Sequence, residues 1–198
     1  MSHYYQFDET LRSKRRFIDL YINEEKLTFI SDVGVFSNNK VDYGSFLLIK
    51  TLLKEPNCQS LLDMGCGYGV IGITLDYFKK CETLTMVDIN KRAVDLTLEN
   101  INKFELTNAK SYVSDGFKEI KDNYDVIAFN PPIRAGKKVI YPIYDDSVLH
   151  LNKDGRFYIV IHKDLGANST INYLKEKDLN VDIILKDKGY FILKVTKI

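Results

Sequence analysis

The segment Asp63-Met-Gly-Cys-Gly-Tyr-Gly69 constrains this chain more than any other. It follows a short apolar run, SLLDM, and leads into GYGVIGITLDYFKK, whose apolar residues recur at helical spacing. Three glycines within five residues therefore stand where a strand turns into a helix. At such a junction backbone N–H groups can approach a ligand with no Cβ in the way.

The periodicity alternates on either side of this junction. Residues 16–36 contain two β-branched and aromatic runs, RFIDLYI and KLTFISD, separated by NEE, and predict a hairpin. From Asp42 to Leu53 apolar residues fall at spacings of three and four before Pro56, which predicts a helix. TLTMVDI, KSYVS, YDVIAFN and RFYIVIH read as further strands. KRAVDLTLENINKF, a stretch around Tyr144 to Leu151, and NSTINYLKEK capped by Asn168 or Ser169 read as helices. NVDIILKD and YFILKVTK, joined at Lys-Gly, predict a terminal hairpin. The pattern implies one α/β domain over residues 1–198, a hairpin extension over 1–41 and a core over 42–198, with a mostly parallel sheet covered on both faces. Such sheets bind ligands beyond the carboxyl ends of their strands, where this chain carries Asp63, Asp88, Asp115 and Asn130.

Composition narrows the function. Lys and Arg number 28 against 27 Asp and Glu, so a nucleic-acid site has to be a local patch, with RSKRR (12–16), Lys137/Lys138 and Lys186/Lys188 as candidates and a solvated surface as the plainer reading of each. Three cysteines without CxxC spacing argue against a disulfide framework and a four-thiolate zinc site and for reduced thiols, no metal is expected from His3 or His150, and His162, at the end of a strand, reads as structural rather than as a base. No apolar run is long enough for a membrane span and the polar start does not read as a signal peptide, so a cytoplasmic address is expected. Oligomeric state is left open.

The glycine loop departs from the dinucleotide fingerprint, because Val70 follows Gly69 and the next glycine is Gly72. Asp63 in front of the loop would repel a pyrophosphate but could accept, directly or through water, from a ligand ammonium group. Asp88, closing the next strand, is placed to accept from ribose hydroxyls. Asp115, after the third, is placed to meet an adenine, or equally to serve as a turn residue. An amino-acid head, a ribose and an adenine together describe S-adenosylmethionine. Expected contacts are Asp63, Gly65, Cys66, Gly67, Gly69, Asp88, Ile89, Asp115, Gly116 and Asn130.

Asn130, Pro131 and Pro132 follow the fourth strand of this series. Two prolines without N–H donors stiffen the chain, so the Asn130 side-chain oxygen and the Pro131 carbonyl form a fixed acceptor pair for a planar NH2 group. Held so, a conjugated amine turns its lone pair toward an electrophilic methyl, and the acceptors stabilise the charge that develops.

DMGCGYG, VDIN and NPPI, in this order, resemble the class I S-adenosylmethionine-dependent methyltransferases, specifically the methyltransferase small domain family, which includes guanine-N2 methyltransferases of small-subunit ribosomal RNA. The resemblance extends over FSNNKVDYGSFLLI and NPPIRAGKKVIYPI. It implies a Rossmann-like seven-stranded sheet, order 3-2-1-4-5-7-6 with the last strand antiparallel. It further implies cofactor contacts at Gly65, Gly67, Asp88 and Asp115, the target amine at Asn130 and Pro131, and ribosomal RNA or the small ribosomal subunit as partner. Many amino-group methyltransferases have an aromatic after NPP to stack on the base, where this chain has Ile133, so Phe36 is the candidate wall. Arg134 and Lys137 are candidate phosphate contacts. Some relatives carry a second copy of the domain in front; here the hairpin and RSKRR are expected to capture substrate. The rival readings are methylation of another planar amine (adenine N6, a glutamine amide, a small molecule), a non-catalytic RNA-binding assembly factor, and, most distant, an NAD-dependent oxidoreductase.

Overall fold

The computed structural model describes residues 13–35 and 40–198. The hairpin comprises β1 (Arg16–Ile22) and β2 (Glu25–Ser31), antiparallel and joined at Asn23 and Glu24, both with positive φ as a tight two-residue turn requires. After α1 (Tyr43–Leu52) the chain alternates β3 (Cys58–Met64), α2 (Val70–Tyr77), β4 (Cys81–Asp88), α3 (Lys91–Lys103), β5 (Ala109–Val113), β6 (Tyr124–Phe129), α4 (Lys137–Leu149), β7 (Leu151–His162) and α5 (Ala167–Lys175). It ends with β8 (Leu179–Asp187) and β9 (Tyr190–Lys197). The seven-stranded sheet has the order β5-β4-β3-β6-β7-β9-β8, which with the hairpin set aside is 3-2-1-4-5-7-6, and β9 runs antiparallel to both neighbours.

The period of two along each strand divides the core. Leu61, Val126, Ala128, Tyr158 and Val160 face a layer built by α1, α2, α3 and the hairpin. Leu62, Met64, Ile127, Phe129, Phe157 and Ile159 face α4 and α5. The hairpin is tied down by buried Asn100 of α3, whose side chain accepts from Ile30 N (2.8 Å) and donates to Ile30 O (2.9 Å) and Tyr68 O (2.8 Å). Its inner Leu20, Leu27 and Phe29 are buried in the same core.

Three element boundaries differ from expectation. The helix expected around Tyr144 starts at Lys137 and contains Pro142, because burial of Ile140 and Tyr144 outweighs the one backbone bond that Pro142 cannot make. The strand expected from Arg156 starts at Leu151, and Asp154 (φ 62°) with Gly155 forms an irregularity within it rather than a boundary. The last helix is capped by left-handed Gly166, not by Asn168 or Ser169; the Ser169 hydroxyl instead donates to Gly166 O at 2.9 Å. No helix among the described residues is long and apolar enough to cross a membrane.

Candidate active site

The carboxyl ends of β3, β4 and β6 lie side by side because β3 is hydrogen-bonded to both of the others. They open onto a crevice in two compartments that share Gly65 and Asn130. The larger encloses about 680 Å³ and is lined by Gly65, Asp88, Ile89, Ser114, Asp115, Gly116, Asn130, Pro131, Pro132, Val139 and Ile143, among others. The smaller lies between residues 65–68 of the glycine loop and the residues Asp42, Ser45 and Asn130.

Gly69 takes φ +84°, and a Cβ there would stand 2.8 Å from Ile73 Cδ1, so the loop closes on α2 only with glycine at this place. Gly69 has no side chain to cap α2, and Asp63 does so from within β3, its Oδ2 accepting from Gly72 N at 2.9 Å. Asp63 is fully buried beneath the loop, its bonded oxygen turned to α2. Its Oδ1 has no partner, and burial, aided by the charge of nearby Asp88 and opposed by the Gly72 N–H, pushes the carboxyl up to about 7.

Asp88 ends β4 with Oδ2 accepting from Gly67 N and Oδ1 from Asn90 N, both at 2.9 Å. It thus braces the glycine loop while lining the cleft. Asp115 is exposed on the cleft wall and paired with Lys118. Ile89 and Val139 are 43% and 46% exposed, large apolar side chains left open at the rim of a concave site, as a flat apolar ring needs. The Cys66 side chain points into the core beside Thr97, and burial raises its thiol far above the ordinary value.

Asn130 follows β6 at the junction of the compartments. Its Nδ2 donates to Asp42 Oδ2 at 3.0 Å and to Ser45 Oγ at 2.8 Å. Both amide hydrogens are used, so the amide oxygen is the face left for a ligand. The two prolines do not hold an extended run. Pro131 O accepts from Ile133 N at 2.9 Å and Pro132 O from Ala135 N at 2.8 Å, because the residues after the prolines supply the N–H groups that close a tight turn. The Pro131 carbonyl therefore keeps one lone pair rather than two for a substrate.

The remaining expected residues lie around or outside this lining. Ile133 is partly buried against the core on the α4 face. Arg134 is exposed, and Lys137 lies over the Tyr141 ring, 5.7 Å from its centroid. Phe36 and Arg12 lie outside the described residues. Of the basic stretch, Lys14 N and Ser13 Oγ both bind Asp32, and Arg15 pairs with Glu99. His162 accepts from Asp164 N at 3.3 Å and packs edge-on against Tyr190, whereas His150 packs on Phe117. No three His, Cys, Asp or Glu side chains among the described residues group as a metal site. Asp42 and Ser45 were not foreseen; the only trace they leave in the chain is the cap-like D-x-x-S opening α1.

A strand-helix glycine turn, an acid closing the next strand and an Asn-Pro-Pro turn facing both define a class I methyltransferase site. The chain belongs to the methyltransferase small domain family, whose model matches residues 26–194. S-adenosylmethionine is the cofactor of this class, and the cleft fits it in donor set, in the open loop and in the unpartnered Asp63 oxygen beneath that loop. The chain is 42% identical to the uncharacterized protein YbxB of Bacillus subtilis, over 99% of this chain and 98% of that one. It is 35% identical to the ribosomal RNA small subunit methyltransferase C of Buchnera aphidicola, over 91% of this chain and 52% of that protein. Among solved structures, the Thermus thermophilus 16S rRNA N2 G1207 methyltransferase in complex with AdoMet and guanosine superposes with a TM-score of 0.81 at 25% identity, over 95% of this chain and 52% of that one. The chain thus spans about half the length of the ribosomal RNA methyltransferases it matches.

Proposed function

We propose that the chain methylates N2 of a guanine in small-subunit ribosomal RNA, a reading that also places it in the cytoplasm. The observation that carries it is the Asn130 amide, whose hydrogens are spent on Asp42 and Ser45 and whose oxygen is left for an incoming NH2 where the two compartments meet. The likeness to methyltransferases named for 16S rRNA supports guanine over other planar amines.

When bound, S-adenosylmethionine supplies a methyl carbon activated by its sulfonium sulfur. Asn130 Oδ1 and the remaining Pro131 lone pair accept the two hydrogens of the target amine, which turns the nitrogen lone pair out of conjugation with the ring. Methyl transfer would place positive charge on the nitrogen, the carbon–sulfur electron pair leaving with the thioether. The two oxygens stabilise the positive charge on nitrogen until it loses a proton to water. No side chain has to act as base, consistent with the structural bonding of His162. Asp88 and the backbone of the glycine loop would hold the cofactor's ribose and amino-acid ends, and Ile89 and Val139, which line the cleft, would cover its base.

The test is methyl transfer from labelled cofactor to ribosomal RNA and to assembled small subunits, followed by mass analysis of nucleosides. Label in N2-methylguanosine is expected. Label confined to protein, or to adenosine, overturns the guanine assignment.

A further inference from the structure

We infer that Asp42 and Ser45 are positioning residues that fix which atom of the Asn130 amide faces the methyl acceptor; the inference rests on the role proposed for Asn130. A carboxamide is nearly symmetric in shape, so packing alone distinguishes its oxygen from its nitrogen poorly, and only its hydrogen-bond partners decide. Here the deciding partner is charged. An ionised carboxylate accepts and cannot donate, so turning the amide over would set its oxygen against Asp42 Oδ2 at the 3.0 Å now spanned by a hydrogen bond. Ser45 supports the arrangement at 2.8 Å but cannot impose it, because a hydroxyl donates as readily as it accepts.

The carboxylate is itself held. Asp42 Oδ2 also accepts from Ser45 N at 3.0 Å, which caps α1, and α1 is anchored by buried Leu47, Leu48, Ile49 and Leu52. A Cβ on Gly44 would stand 3.0 Å from the same oxygen and press on it. The link from α1 to the end of β6 thus runs through three hydrogen bonds, two donated by Asn130 Nδ2 and one by Ser45 N.

The substitution that isolates this role is Asp42→Asn. Asn caps a helix as well as Asp does, so the bond to Ser45 N is retained, whereas the acceptor-only character is lost. We expect kcat, measured at saturating cofactor and RNA, to fall about 10- to 100-fold, the loss that mispositioning at a reacting centre produces. Ser45→Ala should lose only about threefold, for want of one supporting acceptor. In Asn130→Asp two carboxylates would face one another. In the double variant Asp42→Asn/Asn130→Asp the new amide can donate to the new carboxylate, and activity should rise at least about tenfold above Asn130→Asp alone. A merely structural role for Asp42 predicts no such rescue.

A second readout needs no substrate. The Asn130 side-chain NH2 protons, followed by NMR in the full chain, should exchange slowly in wild type and several-fold faster in Asp42→Asn. Wild-type kcat in Asp42→Asn, or unchanged exchange of the Asn130 NH2, overturns the inference. If the wild-type protein methylates no RNA, the proposed function falls by itself, and the exchange measurement still decides whether Asp42 orients Asn130.

Discussion

On the cofactor side of the cleft the glycine loop is held by groups close in the chain or one strand-helix-strand unit away: Gly69 N bonds Cys66 O at 2.8 Å, and Gly67 N bonds Asp88 at 2.9 Å. On the acceptor side Asn130 is held by Asp42 and Ser45, 88 and 85 residues distant. The first side is made of backbone geometry that a few residue types impose locally. The second exists only once α1 has packed against α2 and β7, which brings Asp42 and Ser45 to Asn130. Damage should therefore be separable: changes on one side should spoil binding, and changes on the other should spoil transfer from a site that still binds.

The largest expected effect breaks the acceptor side alone. Asn130→Ala removes the oxygen that receives the target amine and should lower methyl transfer by about 10³-fold, the scale seen when a stabilising group is removed from a developing charge. Calorimetry with S-adenosylmethionine should show affinity within about threefold of wild type, because the loop and Asp88 are untouched. A parallel loss of cofactor affinity would show the two sides to be one unit.

The converse breaks the cofactor side. Asp88→Ala leaves the Gly67 and Asn90 N–H groups without their acceptor in a place where Asp88 is only 2% exposed. With hydrogen bonds to a charged group contributing about 1.5–3 kcal/mol each, cofactor affinity should fall about 100-fold, measured by the same calorimetry. At saturating cofactor the residual kcat should stay within about threefold, since Asn130 keeps its partners. Gly69→Ala comes next. A Cβ 2.8 Å from Ile73 Cδ1 at φ +84° should lower stability by about 2 kcal/mol, read as a shift in the urea midpoint, and loosen the loop on α2.

The same contrast explains what could be read from the chain. The strand order, the glycine turn and the cleft positions of Asp88, Ile89, Asp115, Gly116 and Asn130 are legible because period-two and helical spacing and turn chemistry are local properties. Three things were not. Asp63 looks like a ligand contact from its place before the loop, but its depth depends on how α2 folds back over β3, which spacing does not encode. The Pro131 carbonyl looks free because proline cannot donate, yet the N–H that engages it belongs to Ile133, two residues on. Asp42 and Ser45 read as an ordinary helix cap, and they are one; their second partner comes from a strand that follows far along the chain.

The smallest effect probes the floor beneath the cofactor side. The Asp63 carboxyl is raised by burial to about 7 from a usual value of 3.8, so the folded protein binds a proton there that the unfolded chain has lost. Stability from this group is therefore present below about pH 4 and is lost as pH rises toward 7, the direction that follows when the native state holds more protons. A cofactor whose ammonium group lies above the loop favours the ionised form and reverses that preference, directly or through a water reaching the unpartnered Oδ1. S-adenosylmethionine should then bind about tenfold more tightly at pH 7.5 than at pH 6, releasing a proton, because at the lower pH about nine-tenths of Asp63 must first ionise. Asp63→Asn should flatten this dependence while keeping an acceptor for Gly72 N. Calorimetry in buffers of different ionisation enthalpy measures the released proton directly. A pH-independent affinity in the wild type would mean that Asp63 only caps α2, and that the cofactor side is held entirely by the loop and Asp88.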